Sequence, residues 1–252
     1  MELMMGERVD EVNDKLSLIQ NEEGLTFGTD ALLLAGYVTG PFESAIEMGS
    51  GSGIISMLLL TRNKVSHIDA VEIQKSYADL TARNAKYNGL EARLTAICSD
   101  IRDYRPGKEY NCAFTNPPYM KSTSGRINEN DKKAIARHEL SGDIYDYSSS
   151  LSRLIKFGGS FYAVYRPDRM TDLIDAMRQA KIEPKRMTFV HADASSEPSI
   201  LLIEGRKGGK CGMKLTRPLF IYTDKEHKSY TADMDYIMET GRFPEDFKIK
   251  NG

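Results

Sequence analysis

The sequence has no tryptophan, three cysteines and four histidines among its 252 residues. Cys98, Cys112 and Cys211 are scattered, with no CxxC pair and no histidine at ligand spacing. A disulfide framework or a zinc site is therefore not expected, and we expect no bound metal. Reduced thiols of this kind are typical of a cytoplasmic protein.

Long apolar runs are missing as well. No stretch approaches the roughly 20 apolar residues that span a bilayer, and the first residues, MELMMGER, lack the apolar core of a signal peptide. Neither sign of charge dominates, because 34 Lys and Arg stand against 36 Asp and Glu. A nucleic-acid partner would have to be bound by a local basic patch. We expect a cytoplasmic monomer without a membrane partner.

Segments with strand and helix patterns alternate from residue 45 to about residue 205. Such alternation predicts an α/β fold with a doubly wound, mostly parallel sheet. Residues 1–44 come before this alternation and form an N-terminal segment. Residues 45–252 form the core with a C-terminal extension, and we expect one domain overall.

The stretch Cys112–Tyr119, CAFTNPPY, is the most informative part of the chain. Its apolar start predicts a buried strand, which the two prolines end. Asn116 and Pro117 are then stiffly positioned at the carboxyl end of a strand, where open α/β sheets bind ligands. A planar amino group could donate to the Asn116 side-chain oxygen and the Pro117 carbonyl while its ring stacks on Tyr119. A simple proline turn after a core strand is the alternative.

A glycine loop follows the strand that begins at Ala45. Gly49, Gly51 and Gly53 permit a tight turn and a close approach of ligand to main chain. Ile54 stands where a dinucleotide fingerprint needs its third glycine, and no GK[ST] ending marks a P-loop. Glu47, just before the loop, would attract an ammonium group and repel a phosphate. This favours a ligand with a cationic amino-acid end over a nucleotide bound by its phosphates.

Acidic residues end the next two predicted strands. A lone acid such as Glu72 could be a solvated surface residue. It lies about 20 residues after the glycine loop, however, and this spacing favours an acid that binds ribose hydroxyls in nucleotide folds. Asp100 could bind the amino group of an adenine, or it could cap the turn towards Ile101. Ahead of the loop, Phe27, Thr29 and Asp30 either pack and cap the following helix, with Thr29 or Asp30 as its N-cap, or lie over a cofactor.

Two basic segments are candidates for contact with a nucleic acid. The long polar connection after Tyr119 is of the length that functional loops have, and it contains Lys121 and Arg126. Residues 205–217 contain five cations and no acid. That segment is either a solvated hairpin or a loop that contacts phosphates. The candidate residues within it are Arg206, Lys207, Lys210 and Lys214.

Together these motifs resemble those of class I S-adenosylmethionine-dependent methyltransferases that act on amino groups. The resemblance implies a Rossmann-like sheet of seven strands, a glycine loop that holds the methionine moiety, and acids that bind ribose and approach adenine. It assigns methyl transfer to Asn116, Pro117 and Tyr119. The residues that it assigns to S-adenosylmethionine are Phe27, Thr29, Asp30, Glu47, Gly49, Gly51, Gly53, Glu72, Asp100, Ile101 and Asn116.

More narrowly, the chain is similar to bacterial methyltransferases that modify N6 of an adenine in a valine tRNA, which implies a tRNA partner. The same motif would suit a glutamine amide, so a glutamine N5-methyltransferase of release factors is an alternative. Those enzymes, however, carry a helical domain ahead of the core. A guanine N2-methyltransferase of ribosomal RNA is a further alternative. Those enzymes, however, usually have Phe at the position of Tyr119. An RNA-binding module without activity would be expected to have lost residues of the glycine loop, Glu47–Gly53, or of the proline motif, Asn116–Tyr119. Both motifs are intact.

Overall fold

The computed structural model describes residues 3–21, 28–117 and 142–249. The elements up to the middle of the chain are β1 (Glu7–Asn13), β2 (Leu16–Asn21), α1 (Thr29–Tyr37), β3 (Phe42–Met48), α2 (Ile54–Thr61), β4 (Val65–Glu72), α3 (Lys75–Tyr87), β5 (Leu94–Cys98) and β6 (Tyr110–Thr115). The later ones are α4 (Ile144–Leu154), β7 (Ile155–Tyr165), α5 (Met170–Gln179), β8 (Ile182–His191), β9 (Pro198–Lys207), β10 (Lys214–Leu215), β11 (Leu219–Phe220) and α6 (Ala232–Thr240).

The expected doubly wound α/β sheet is confirmed. Its seven long strands lie in the order β8–β9–β7–β6–β3–β4–β5. The five strands β7, β6, β3, β4 and β5 run parallel to one another. Strand β9 runs antiparallel to both β7 and β8. The two-residue strands β10 and β11 pair with the outer edge of β8 and bring the sheet to nine strands. These two additions belong to the C-terminal extension, which is the chain after β9.

Two hydrophobic cores form because side chains alternate between the faces of each strand. In β7, Tyr162 and Val164 face the core that contains buried residues of α1, α2 and α6. Phe161 and Ala163 face the opposite core, which α4 and α5 cover. Helix α2 is buried along nearly its whole length, as expected for an apolar helix directly behind a glycine loop.

The N-terminal hairpin β1–β2 is antiparallel and lies outside the main sheet. It packs on α3, where the Asn84 amide accepts a hydrogen bond from Ile19 N at 2.7 Å and donates one to Ile19 O at 3.1 Å. Arg83 forms two hydrogen bonds with the Glu7 carboxylate, at 2.6 and 2.7 Å. These contacts attach the hairpin to the core through α3.

The boundary between α4 and β7 differs from the prediction. The sequence predicts a helix to Phe157, ended by Gly158 and Gly159, but the helix ends at Leu154 and β7 begins at Ile155. Ile155 is fully buried and pairs with Tyr110 of β6. Pairing in the sheet and burial of a β-branched side chain outweigh the helical pattern here.

The C-terminal extension is attached to the core through Arg186 of β8, which is fully buried. Its guanidinium donates to Tyr37 O at 2.7 Å and to Phe247 O at 3.0 Å, and it lies 3.7 Å from the centre of the Tyr37 ring. Glu204 of β9 lies 2.8 Å away as an ion pair, without the alignment of a hydrogen bond. One cation thus joins α1, β9 and the chain after α6.

Candidate active site

Four parallel strands end at the same edge of the sheet, and each ends in a predicted site residue or is followed by one. Met48 at the end of β3 pairs with Val71 of β4 and with Thr115 of β6, and Glu72 pairs with Cys98 of β5. The residues that this register brings to one edge are Gly49, Gly51, Gly53, Glu72, Asp100, Ile101, Asn116 and Pro117. This is the edge where open α/β sheets bind ligands.

All three glycines of the loop have left-handed backbone angles, with φ of +70° at Gly49, +54° at Gly51 and +83° at Gly53. Other residue types rarely adopt these angles. A Cβ at Gly53 would also lie 2.9 Å from the Thr81 methyl group. Thr81 of α3 supports the loop from below, because its hydroxyl donates to Gly51 O at 2.9 Å. No sequence motif pointed to Thr81.

Glu72 links the glycine loop to the turn after β4. One carboxylate oxygen accepts from Gly51 N at 3.1 Å and the other from Gln74 N at 3.0 Å. The residue is 6% exposed. A carboxylate has about four lone-pair positions, so two hydrogen bonds leave capacity for two hydroxyl donors. This is what a ribose-binding acid requires.

Glu47 is buried behind the loop rather than open to solvent, at 1% exposure. The Ser56 hydroxyl of α2 donates to its carboxylate. Burial raises the pKa of Glu47 to about 8, an effect that the hydrogen bonds from Ser56 reduce and the charge of Glu72 increases. The structure thus shows Glu47 supporting α2 beneath the loop. Its direct contact with an ammonium group stays a prediction.

The raised pKa of Glu47 predicts how stability changes with pH. Between the ordinary carboxyl value of 4.5 and about 8, the folded chain holds a proton that the unfolded chain has released. This contribution to stability is full below pH 4.5 and is lost as pH rises through about 8.

Glu47→Gln mimics the protonated carboxyl, so its unfolding midpoint in urea should decline less over this range than that of the wild type. The exposed Glu43→Gln on the same strand should follow the wild type. A decline in Glu47→Gln equal to that of the wild type would contradict the assignment.

Asp100 is engaged by Arg102. Its carboxylate accepts from Arg102 N and Nε, both at 2.9 Å, and this hydrogen bonding to Arg102 lowers the pKa of Asp100. The capping role that the sequence left open for Asp100 is therefore present, and Ile101 is buried next to it. Contact of Asp100 with an adenine stays a prediction.

The amide of Asn116 donates from Nδ2 to Oδ2 of Asp30 at 2.8 Å. This joins the turn after β6 to the first turn of α1, and both side chains are half-buried. The prediction that Thr29 or Asp30 caps α1 is wrong, because Gly28 occupies the N-cap position and Thr29 and Asp30 lie inside the first turn. The Asp30 carboxylate faces Asn116 instead.

Four predicted site residues lie outside the described residues. They are Phe27 of the N-terminal segment, Tyr119 of the proline motif, and the basic residues Lys121 and Arg126. Their roles stay predictions.

The second basic segment is not brought together with Asn116. Because β9 is antiparallel, it ends at the opposite edge of the sheet, where Arg206 pairs with Ser160 near the start of β7. The guanidinium of Arg206 donates to Gly158 O, and the ammonium of Lys207 to Ile155 O, each at 2.8 Å. Lys214 donates to two carbonyls of the C-terminal extension. Lys210 is exposed at the same far edge. Contact of this segment with RNA stays a prediction, separate from the site.

Comparison with known proteins identifies the domain that contains this site. Residues 21–136 match the family model described as methyltransferase small domain. A tRNA1(Val) (adenine(37)-N6)-methyltransferase of Aliivibrio salmonicida is 31% identical over 182 residues, which are 72% of this chain and 77% of the relative. The chain belongs to this methyltransferase family. The enzyme of the same name from a Flavobacteriaceae bacterium is 23% identical over 92% of this chain and 96% of its own length.

The fold of this methyltransferase also matches a solved structure. A predicted O-methyltransferase of Agrobacterium tumefaciens has a TM-score of 0.69 at 18% identity, over 85% of this chain and 98% of that one. The matched family domain includes the glycine loop, Glu72, Asp100 and Asn116, whereas the elements from α4 to α6 lie beyond it. Within the described ranges, no helix has both the length and the apolarity to cross a bilayer. The same ranges contain no group of three or more His, Cys, Asp or Glu that could hold a metal ion.

Proposed function

We propose that this chain transfers a methyl group from S-adenosylmethionine to N6 of an adenine in tRNA, at position 37 of a valine tRNA. The observation that carries the proposal is the placement of Asn116 beside the glycine loop and Glu72 at one sheet edge. The names of the relatives, tRNA1(Val) (adenine(37)-N6)-methyltransferase, supply the acceptor. We further propose that it acts in the cytoplasm as a monomeric, single-domain enzyme whose residues 1–44 line the cofactor site.

The residues present fit S-adenosylmethionine. The left-handed glycines permit the tight turn of the loop and a close approach of its main chain to a ligand, and they would hold the methionine moiety. Glu72 has acceptor capacity for two ribose hydroxyls. Asp100 and Ile101 would approach the adenine of the cofactor, and Asp30 would lie at the opposite side. The cofactor supplies the sulfonium methyl group that is transferred.

Loss of Glu72 should weaken cofactor binding. Glu72→Ala removes the acceptor for the ribose and releases Gly51 N, so we expect a loss of about 1–3 kcal/mol in calorimetric affinity for S-adenosylhomocysteine. Glu91→Ala, at an exposed acid before β5, is the matched control and should bind as the wild type does. Unchanged affinity in Glu72→Ala would remove the ribose assignment.

The acceptor explains why the motif contains an amide and a carbonyl rather than a strong base. The lone pair of an exocyclic adenine nitrogen is delocalised into the ring, which makes it a poor nucleophile. The two hydrogens of this nitrogen would be donated to Asn116 Oδ1 and to the Pro117 carbonyl. These hydrogen bonds would favour a more tetrahedral nitrogen and free its lone pair for in-line attack on the sulfonium methyl group. Positioning and local electrostatics would provide most of the acceleration.

The target base must leave its stack to reach this edge. We propose that it stacks on Tyr119, and that Lys121 and Arg126 of the following segment bind RNA phosphates. A base in an anticodon loop is already outside a regular helix, so the cost of extruding it is small. This fits position 37 better than a base within a duplex.

The decisive experiment is mass spectrometry of nucleosides after incubating unmodified bulk tRNA with the protein and S-adenosylmethionine. We expect N6-methyladenosine, and none with Asn116→Ala. A methylated guanosine would favour the ribosomal guanine alternative. Absence of any methylated nucleoside, with methylation of a release-factor glutamine under the same conditions, would replace the tRNA proposal with the glutamine alternative.

A further inference from the structure

The contact between Asp30 and Asn116 joins residues that are 86 positions apart in the chain. We propose that Asp30 is a positioning residue that fixes the orientation of the Asn116 amide, so that Oδ1 rather than the NH2 group meets the acceptor amino group. The inference rests on the proposed function, because it concerns the amino group that Asn116 is proposed to bind.

The two ends of an asparagine amide have nearly the same shape but opposite hydrogen-bonding roles. One end accepts, and the other donates two hydrogens. Packing therefore distinguishes them poorly. A flipped Asn116 would point NH2 at the NH2 of the acceptor, so two donors would meet and the nitrogen lone pair would gain nothing. Some neighbouring group has to specify the orientation.

Asp30 is suited to this task because an ionised carboxylate can only accept hydrogen bonds. With Asp30 Oδ2 at 2.8 Å, the Asn116 atom facing it must be the donor nitrogen. The oxygen then points away from α1. A neutral amide or hydroxyl at position 30 could pair with either end of Asn116 and would leave the orientation unspecified.

Two local features keep the carboxylate in place. It lies in the first turn of α1, where the helix dipole favours a negative charge. In addition, a Cβ at Gly28 would stand 2.6 Å from Asp30 Oδ1. The glycine before the helix thus leaves the space that the Asp30 side chain occupies. The contact with Asn116 is the hydrogen bond that the described part of the chain shows for the Asp30 side chain.

The test exchanges the two partners. Asp30→Asn should lower kcat about tenfold or more, as for loss of a positioned hydrogen-bonding group, with KM for S-adenosylmethionine within about threefold. Asn116→Asp alone should lose more, because two carboxylates would face each other. In the double variant Asp30→Asn with Asn116→Asp, the amide at position 30 donates to the carboxylate at 116, whose other oxygen can accept from the substrate. We expect the double variant to exceed both single variants at least about tenfold, a non-additivity typical of direct partners.

The matched control is Asp235→Asn, which removes an exposed first-turn acid from α6 and should keep wild-type kcat. Wild-type kcat in Asp30→Asn would overturn the proposal. A loss of kcat in Asp30→Asn that the double variant does not recover would also overturn it. So would a loss of kcat that comes with a similar fold-loss of S-adenosylhomocysteine affinity and with a lower melting temperature, because either result would indicate a structural role only.

An independent measurement separates this inference from the proposed function. If the wild type formed no methylated adenosine, the proposed function would fail, but the orientation of the amide could still be measured by NMR. The side-chain NH2 of Asn116 should be protected from hydrogen exchange in the wild type and in Asp235→Asn, and less protected in Asp30→Ala. Equal protection in all three proteins would overturn the positioning role whatever the substrate is.

Discussion

Asn116→Ala is expected to lower kcat by about 100-fold or more, comparable to removal of a preorganised hydrogen-bonding group that acts in a transition state. The alanine cannot accept from the amino group, so the acceptor nitrogen keeps its lone pair in the ring. Cofactor affinity should change little, because the glycine loop and Glu72 are held by Thr81, Gln74 and Val71. The loss should therefore be seen in kcat and not in calorimetric binding of S-adenosylhomocysteine.

Single-turnover kinetics with saturating tRNA and cofactor provide the measurement for Asn116→Ala. Asn111→Ala is the matched control, because Asn111 lies at the other end of β6, where its amide accepts from Ser44. That variant should retain wild-type turnover at a temperature where it is folded. Residual turnover of Asn116→Ala within about tenfold of the wild type would show that the amide does not act on the reacting nitrogen.

The sequence predicts which candidate residues meet at one edge of the sheet, because these residues lie at strand ends. Gly49, Glu72, Asp100 and Asn116 each follow a short apolar segment, and a parallel sheet brings such ends to one edge whatever the details of the packing. Only one helix, α2, and one strand, β4, separate the glycine loop from Glu72 in the chain. The spacing of the two is therefore a local feature of the sequence. Local pattern and topology therefore agree here.

The position of the second basic segment could not be obtained in this way. A cationic segment at the end of a strand looks the same whether the strand is parallel or antiparallel, and β9 is antiparallel. Arg206 and Lys207 are consequently placed at the edge opposite Asn116. Their hydrogen bonds to the carbonyls of Gly158 and Ile155 depend on β7 beginning at Ile155. The sequence pattern instead predicts a helix that continues to Phe157.

The link from Asp30 to Asn116 was missed for a different reason. A first-turn acid of a helix has an adequate local explanation as a cap, and nothing in the neighbouring residues indicates a partner on β6. Only the packing of α1 against the sheet brings the carboxylate to the amide. Such contacts depend on tertiary structure, and periodicity does not contain them.

Arg186→Met should cause the largest loss of stability among the variants considered. It removes a fully buried cation and leaves Glu204 as an unpaired buried charge, with Tyr37 O and Phe247 O deprived of their donor. Breaking a buried pair in this way costs about 3–5 kcal/mol. The C-terminal extension, whose Phe247 is held by this guanidinium, should become more accessible to protease in the same variant.

Urea unfolding of Arg186→Met and of a double variant, Arg186→Met with Glu204→Leu, tests this origin of the loss. The double variant should recover part of the stability, because two apolar side chains leave no unpaired charge, while the two carbonyls still lack a donor. Arg178→Met is the matched control, since the exposed Arg178 pairs with the half-buried Glu183 at 3.5 Å, and this variant should lose less than about 1 kcal/mol. If Arg186→Met lost no more than this control, Arg186 would not be holding the extension to the core. If the double variant were as unstable as Arg186→Met, the lost donor to the two carbonyls, and not the unpaired Glu204, would account for the effect.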